Sequence, residues 1–164
     1  MEPMLNTFEI ELRKRTMGMT LGFSKFFEPN EKFVAYMKKH FAEKVVFDVG
    51  AGAGHVSAIL SEKGIKTIAI DLHIHSNPEF AVLTADAATF KYTKRSVVMI
   101  CRPCHGNFVE QTIERAKECK ASVVLYIGLH RNMANDLGDF ADGFEEVATK
   151  VGNDGESIWR YDIG

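Results

Sequence analysis

The chain has 164 residues, 46% apolar and 26% charged, with 22 acidic and 20 basic side chains that leave a net charge of −2. That length suits one domain whose single core buries about 70% of its unfolded surface. The near-neutral balance excludes a whole-chain basic field for nucleic acid, and no run approaches the ~18 apolar residues a membrane-spanning helix needs.

Residues 1–30 read as an N-terminal arm or lid. The stretch MEPMLNTFEIELRKRTMG lacks the apolar core that follows the basic start of a secretory signal. With three cysteines in such a chain, a reducing, cytoplasmic compartment is expected. Met1, Met4, Met17 and Met19 lie among basic residues, as in an amphipathic arm that orders on a substrate or partner. Arg13, Lys14 and Arg15, like Lys91, Lys94 and Arg95, are short basic runs typical of solvated faces. Asn30 can cap a helix with Phe33, Val34, Met37 and Phe41 on its apolar stripe, so the main domain is expected over 31–164.

Strand-like and helix-like blocks then alternate. KVVFDVG is a short apolar, β-branched run closed by glycine, which predicts a buried strand. HVSAILSEKG has helical spacing at Val56, Ile59 and Leu60, with Gly64 at its end. KTIAIDLH predicts a second strand, EFAVLTADA a shorter third, and SVVMIC a fourth, with short helical connections on either side of the third. GNFVEQTIERAKECK predicts an amphipathic helix and ASVVLYIGLH a fifth strand. The tail FEEVATKVGNDGESIWRYDIG reads as two strands joined at Asn153-Asp154-Gly155, a hairpin signal. This order predicts an α/β fold, a mostly parallel sheet with helices on both faces and an antiparallel C-terminal hairpin strand.

Ligands on such sheets bind beyond the carboxyl ends of the strands, where strand order reverses. VVFDVGAGAGH places Gly50, Gly52 and Gly54 between a strand and a helix, where glycine lets backbone approach a ligand closely. Asp71 ends the next strand, 21 residues after Gly50, where a carboxylate can accept from ribose hydroxyls. A dinucleotide fingerprint would need glycine at position 55, which is His55.

The spacing G-x-G-x-G after Asp48 resembles the first motif of class I S-adenosylmethionine-dependent methyltransferases, a Rossmann-like three-layer family. The likeness covers roughly 31–164 and includes Asp71, the ADA segment at 85–87 and the closing hairpin. It implies S-adenosylmethionine or S-adenosylhomocysteine as ligand. It further implies Gly50, Ala51 and Gly52 beneath the amino-acid moiety, Asp71 with Leu72 at the ribose, and Asp86 with Ala87 at the adenine. Asp48, Gly54, His55 and Cys101 complete the expected cofactor set. FFEPNEKFVAYM is similar to the segment ahead of the first motif in some nucleic-acid methyltransferases, where a phenylalanine and a proline line the methionine end.

The remaining motif is CRPCH, residues 101–105, at the end of the fourth strand. As a bare pattern it admits haem attachment, a thiol redox pair, half a zinc site with His73, His75 or Cys119, or a presented thiolate. Set against the family, Arg102, Pro103, Cys104 and His105 stand where amino-methylating enzymes carry a polar residue, two prolines and an aromatic. Only the first proline is matched. Pro103-Cys104 is also similar to the Pro-Cys of cytosine-C5 methyltransferases, whose long target-recognition region has no counterpart here. Cys104 near a helix start, Arg102 and His105 would favour a thiolate, and His105 could act as a base. Arg102, Cys104 and His105 are the candidate catalytic residues, and no metal is expected.

The resemblance thus implies a minimal methyltransferase. Its acceptor, a nucleic acid, a small polar metabolite or a protein, would be recognised by residues 1–30, the loop after Cys101 and GLHRNMANDLGDF, which holds His130, Arg131, Asn132 and Asn135. A non-catalytic cofactor-binding subunit that serves a catalytic partner is the alternative, and a nicotinamide oxidoreductase the third reading.

Overall fold

The computed structural model describes residues 27–103, 108–130 and 137–164. The first 26 residues of the expected arm, together with Cys104, His105, Arg131, Asn132 and Asn135, lie outside the described residues.

Helix α1 (Glu31–Phe41) begins at Asn30, whose Oδ1 accepts from the amides of Lys32 at 2.9 Å and Phe33 at 3.4 Å. Glu31 in its first turn and Lys38, Lys39 and His40 in its last complement the helix dipole. The expected stripe is the buried one: Phe33, Met37 and Phe41 are buried and Val34 packs beside them. Each such burial contributes about 2 kcal/mol, enough to hold an 11-residue helix that would be marginal alone.

The sheet comprises β1 (Val46–Val49), β2 (Thr67–Asp71), β3 (Val82–Thr84), β4 (Val97–Cys101), β5 (Val123–Gly128), β6 (Glu145–Ala148) and β7 (Ser157–Asp162). Its order is β3-β2-β1-β4-β5-β7-β6, with β1 to β5 parallel and β7 antiparallel between β5 and β6. Side-chain alternation divides the core into two faces. Val46, Met99 and Leu125 face α1 and α2 (His55–Glu62), whereas Phe47, Val98 and Val124 face α3 (Phe108–Glu118). The architecture is therefore the three-layer α/β sandwich that the alternation predicts, and Gly155, at φ +84°, turns the closing hairpin.

The connections flanking β3 differ from expectation, since residues 72–81 and 85–96 contain no helix. In the first, Pro78 and the Ser76-Asn77 pair favour turns over helix. In the second, Phe90 and Tyr92 pack on Phe47 with ring centroids 5.5 and 5.2 Å away, covering the sheet where a helix would otherwise lie. The Tyr92 hydroxyl donates to the Ala87 carbonyl at 2.7 Å and fixes that turn.

Candidate functional site

Strand order reverses between β1 and β4, so their carboxyl ends frame a crevice. The glycine loop starts there. The Ala51 amide donates to the Ile70 carbonyl at 3.0 Å, extending the β1–β2 ladder one step past the strand. Gly54, at φ +86°, caps α2, and a Cβ on it would lie 2.7 Å from the Phe80 Cβ, so no larger residue fits without displacing backbone.

Asp71 organises the crevice. Its Oδ2 accepts from the Gly52 amide at 2.8 Å and its Oδ1 from the His73 amide at 2.9 Å. A carboxylate offers about four acceptor sites, so two remain for a ligand. Beside it, Gly52, His73, Ile74, His75, Pro78 and Thr84 line a cavity of about 180 Å³. Thr84 stands level with Asp71 across the β2–β3 pair. The wall formed by residues 72–81 docks on the glycine loop through the Glu79 amide, which donates to the Ala53 carbonyl at 2.7 Å.

Asp48 lies beneath this loop, 3% exposed, and accepts from the Ser57 hydroxyl at 2.7 Å. Burial pushes its carboxyl up from 3.8 to about 6; the Ser57 hydrogen bond opposes this and the Asp71 charge adds to it. Cys101, half-buried at the end of β4, has its thiol pushed well above 9.0 by desolvation and by the charges of Asp48 and Glu156, so it stays protonated.

Arg102 departs from the acceptor-facing role suggested by sequence. Its Nη1 donates to Asp154 Oδ2 at 2.7 Å and to the fully buried Glu156 Oε2 at 3.1 Å. Its backbone, at φ +41°, bends the chain away from β4, with the amide bound to the Ile127 carbonyl at 2.8 Å. The guanidinium thus joins the end of β4 to the β6–β7 hairpin. In the segment FFEPNEKFVAYM, Phe27 is 3% exposed in the core against Phe33 and Pro29 bridges to Gly152, while Phe26 lies outside the described residues.

Gly50, Ala51, Gly52, Gly54 and His55 follow the carboxyl end of β1, where Asp48 lies, and Asp71 ends the parallel neighbour β2 with Leu72 next after it, so all stand at the same edge of the sheet. Asp86 is exposed in the turn after β3, where it accepts from the Ala88 amide at 2.9 Å next to buried Ala87. Pro78, Val82 and Thr84 carry no sequence signal of a site and reach it only through the loop and the β2–β3 register. Among the described residues, no three His, Cys, Asp or Glu side chains form a metal-holding set. No described helix is long and apolar enough to cross a membrane.

No family model matches this chain, and no curated protein matches it. Solved structures do. One is the 1,6-didemethyltoxoflavin-N1-methyltransferase of Burkholderia thailandensis, with S-adenosylhomocysteine bound: TM-score 0.58 and 13% identity, over 99% of this chain and 92% of that one. The magnesium protoporphyrin IX methyltransferase of Synechocystis, with S-adenosylmethionine bound, aligns at TM-score 0.55 and 12% identity over 98% and 85% of the two chains. A ribosomal protein methylase of Lactobacillus delbrueckii gives TM-score 0.57 and 12% identity over 85% and 82%.

Proposed function

On a chain that has the class I methyltransferase fold, we propose an S-adenosylmethionine-dependent methyl transfer to an acceptor not yet identified. The observation that carries this reading is Asp71, which fixes the glycine loop through Gly52 and keeps acceptor sites free at the crevice. The crevice suits the cofactor. A Cβ on Gly52 would stand 3.8 Å from the His75 ring, so the bare glycine backbone keeps the floor of the cavity open.

When bound, S-adenosylmethionine supplies a methyl group on a sulfonium, ready for attack by a lone pair. The chain's task is then orientation. Asp71 accepts from the ribose hydroxyls, the Gly50–Gly52 backbone supports the amino-acid end, and Ile74 and Pro78 offer apolar walls. Asp86 and Ala87 serve the adenine, and Asp48 with Ser57 braces the loop from below. Cys104 and His105, just past β4, are proposed to face the acceptor, His105 taking a proton where the acceptor must lose one. Arg102 positions that segment through Asp154 and Glu156.

That engagement of Arg102 also favours a second reading, a cofactor-binding subunit whose acceptor machinery comes from a partner. Thermal unfolding with S-adenosylhomocysteine, S-adenosylmethionine or NAD tests the cofactor. A ligand at about 100 times its Kd stabilises by about 2.7 kcal/mol, a shift of about 5–10 °C at this size. Stabilisation by the adenosyl ligands alone is expected, and stabilisation by NAD alone overturns the proposal. Binding without methyl transfer to any pooled acceptor selects the second reading.

A further inference from the structure

His55 stands between two carboxylates from different parts of the chain. Its Nδ1 is 2.8 Å from Glu79 Oε1 in the wall of residues 72–81, and its Nε2 is 2.9 Å from Glu28 Oε1 in the segment before α1. A neutral imidazole has one N–H, so it can donate to only one of them, and its bare nitrogen would then face the other carboxylate's lone pairs. Only the imidazolium serves both.

The three partners differ in how firmly they are otherwise held. Glu28 sits on a fixed post: Phe27 is buried, the Glu28 carbonyl accepts from the Asn153 amide at 3.1 Å, and the Asn30 amide donates to the Val151 carbonyl at 2.9 Å. His55 opens a core helix. The wall, by contrast, is exposed at every residue from 72 to 79. Among the described residues it has few other ties to the body of the domain: the Glu79 amide on Ala53, the Asp71–His73 turn and Phe80 against Gly54.

We propose that Glu28, His55 and Glu79 form a proton-held clasp that keeps the wall of residues 72–81 closed on the cofactor crevice, so that cofactor affinity falls as the medium turns alkaline. The inference rests on the cofactor reading above and makes His55 a positioning residue.

The electrostatics agree with the geometry. Hydrogen bonds donated to Glu79 first and to Glu28 second raise the His55 pKa above 6.5, against its partial burial. A raised histidine holds its interactions fully below 6.5 and loses them as pH climbs through the raised value. Among the described residues, the charged groups facing His55 are Glu28 and Glu79; His73 and His75 share the wall and carry imidazoles of their own.

The test measures S-adenosylhomocysteine affinity by calorimetry, and amide exchange of residues 72–81 without ligand, at about pH 6 and about pH 8.5. Glu79→Ala and His75→Gln are compared with the parent; both sites are exposed, so folding is retained. The parent is expected to bind about fivefold more weakly at the higher pH and to lose protection across the wall, the size two half-exposed ion pairs allow. Glu79→Ala should bind weakly at both pH values with a flat profile, and His75→Gln, which lines the cavity, should keep the parent's dependence on pH whatever its affinity. A flat parent profile, an unchanged slope in Glu79→Ala, or a slope abolished by His75→Gln overturns the clasp. If S-adenosylhomocysteine binds at neither pH, the cofactor reading fails, and protection that depends on both pH and Glu79 still supports the clasp, while its absence refutes it.

Discussion

Asp48 puts a number on what the crevice costs the fold. Its carboxyl is buried and raised from 3.8 to about 6, so the folded protein binds that proton more tightly than the unfolded chain does. The residue's contribution to stability therefore increases as pH falls through 6 toward 3.8 and is absent above. A shift of that size corresponds to about 3 kcal/mol that ionised Asp48 costs at neutral pH. Between pH 8 and pH 5 the linkage relation recovers about 1 kcal/mol, and by pH 4 about 2 kcal/mol.

Asp48→Asn removes this titration. Its buried amide adds a pH-independent cost of about 1–3 kcal/mol if its N–H groups find no acceptor, so absolute stabilities do not isolate the carboxylate. The difference in pH dependence does. Urea unfolding of both proteins at pH 8, 5 and 4 should show the parent gaining about 2 kcal/mol more than the variant toward acid. Parallel profiles would refute the premise that a buried, ionised Asp48 strains the crevice.

Asp71→Ala unfastens Gly52 and His73 at once and removes the remaining acceptor sites, so affinity for S-adenosylhomocysteine should fall about 10- to 100-fold by calorimetry. Gly54→Ala and Gly64→Ala both impose a Cβ on a left-handed residue, at φ +86° and +87°, yet only Gly54 meets a neighbour, Phe80. Gly64→Ala should therefore cost about 1 kcal/mol in urea unfolding, and Gly54→Ala clearly more. Arg102→Met leaves Glu156 buried and unpaired, with an expected loss of about 3 kcal/mol. If the loss proved negligible, the guanidinium would not be what joins β4 to the hairpin.

What the sequence revealed divides by distance along the chain. The β1–glycine loop–α2 unit and Asn30 at the start of α1 were legible because their determinants are local: a β-branched run, glycines at fixed spacing, a polar cap before an apolar stripe. Asp71 was legible because parallel register places the end of β2 beside the end of β1. Arg102 was not. Its partners lie 52 and 54 residues away, and nothing within CRPCH separates a guanidinium facing an acceptor from one that bonds a returning hairpin.

The connections on either side of β3 failed for a related reason. Alternation favours a helix between parallel strands, but that preference reflects the need to cover a sheet face, and Phe90 and Tyr92 meet the need on one side without a helix. On the other side the chain leaves residues 72–79 uncovered and turns them toward the crevice. A segment with no core to bury gives no periodicity to read, so Pro78 and Glu79 were silent in the sequence and His75 stood out only as a candidate metal ligand, although all three belong to the wall of the site. Their position is set by contacts with Asp71, Ala53 and His55, which belong to β2, the glycine loop and α2 rather than to the segment itself. A wall held by polar contacts from elsewhere in the chain is also the part of the site that the proposed clasp would place under control of a single proton.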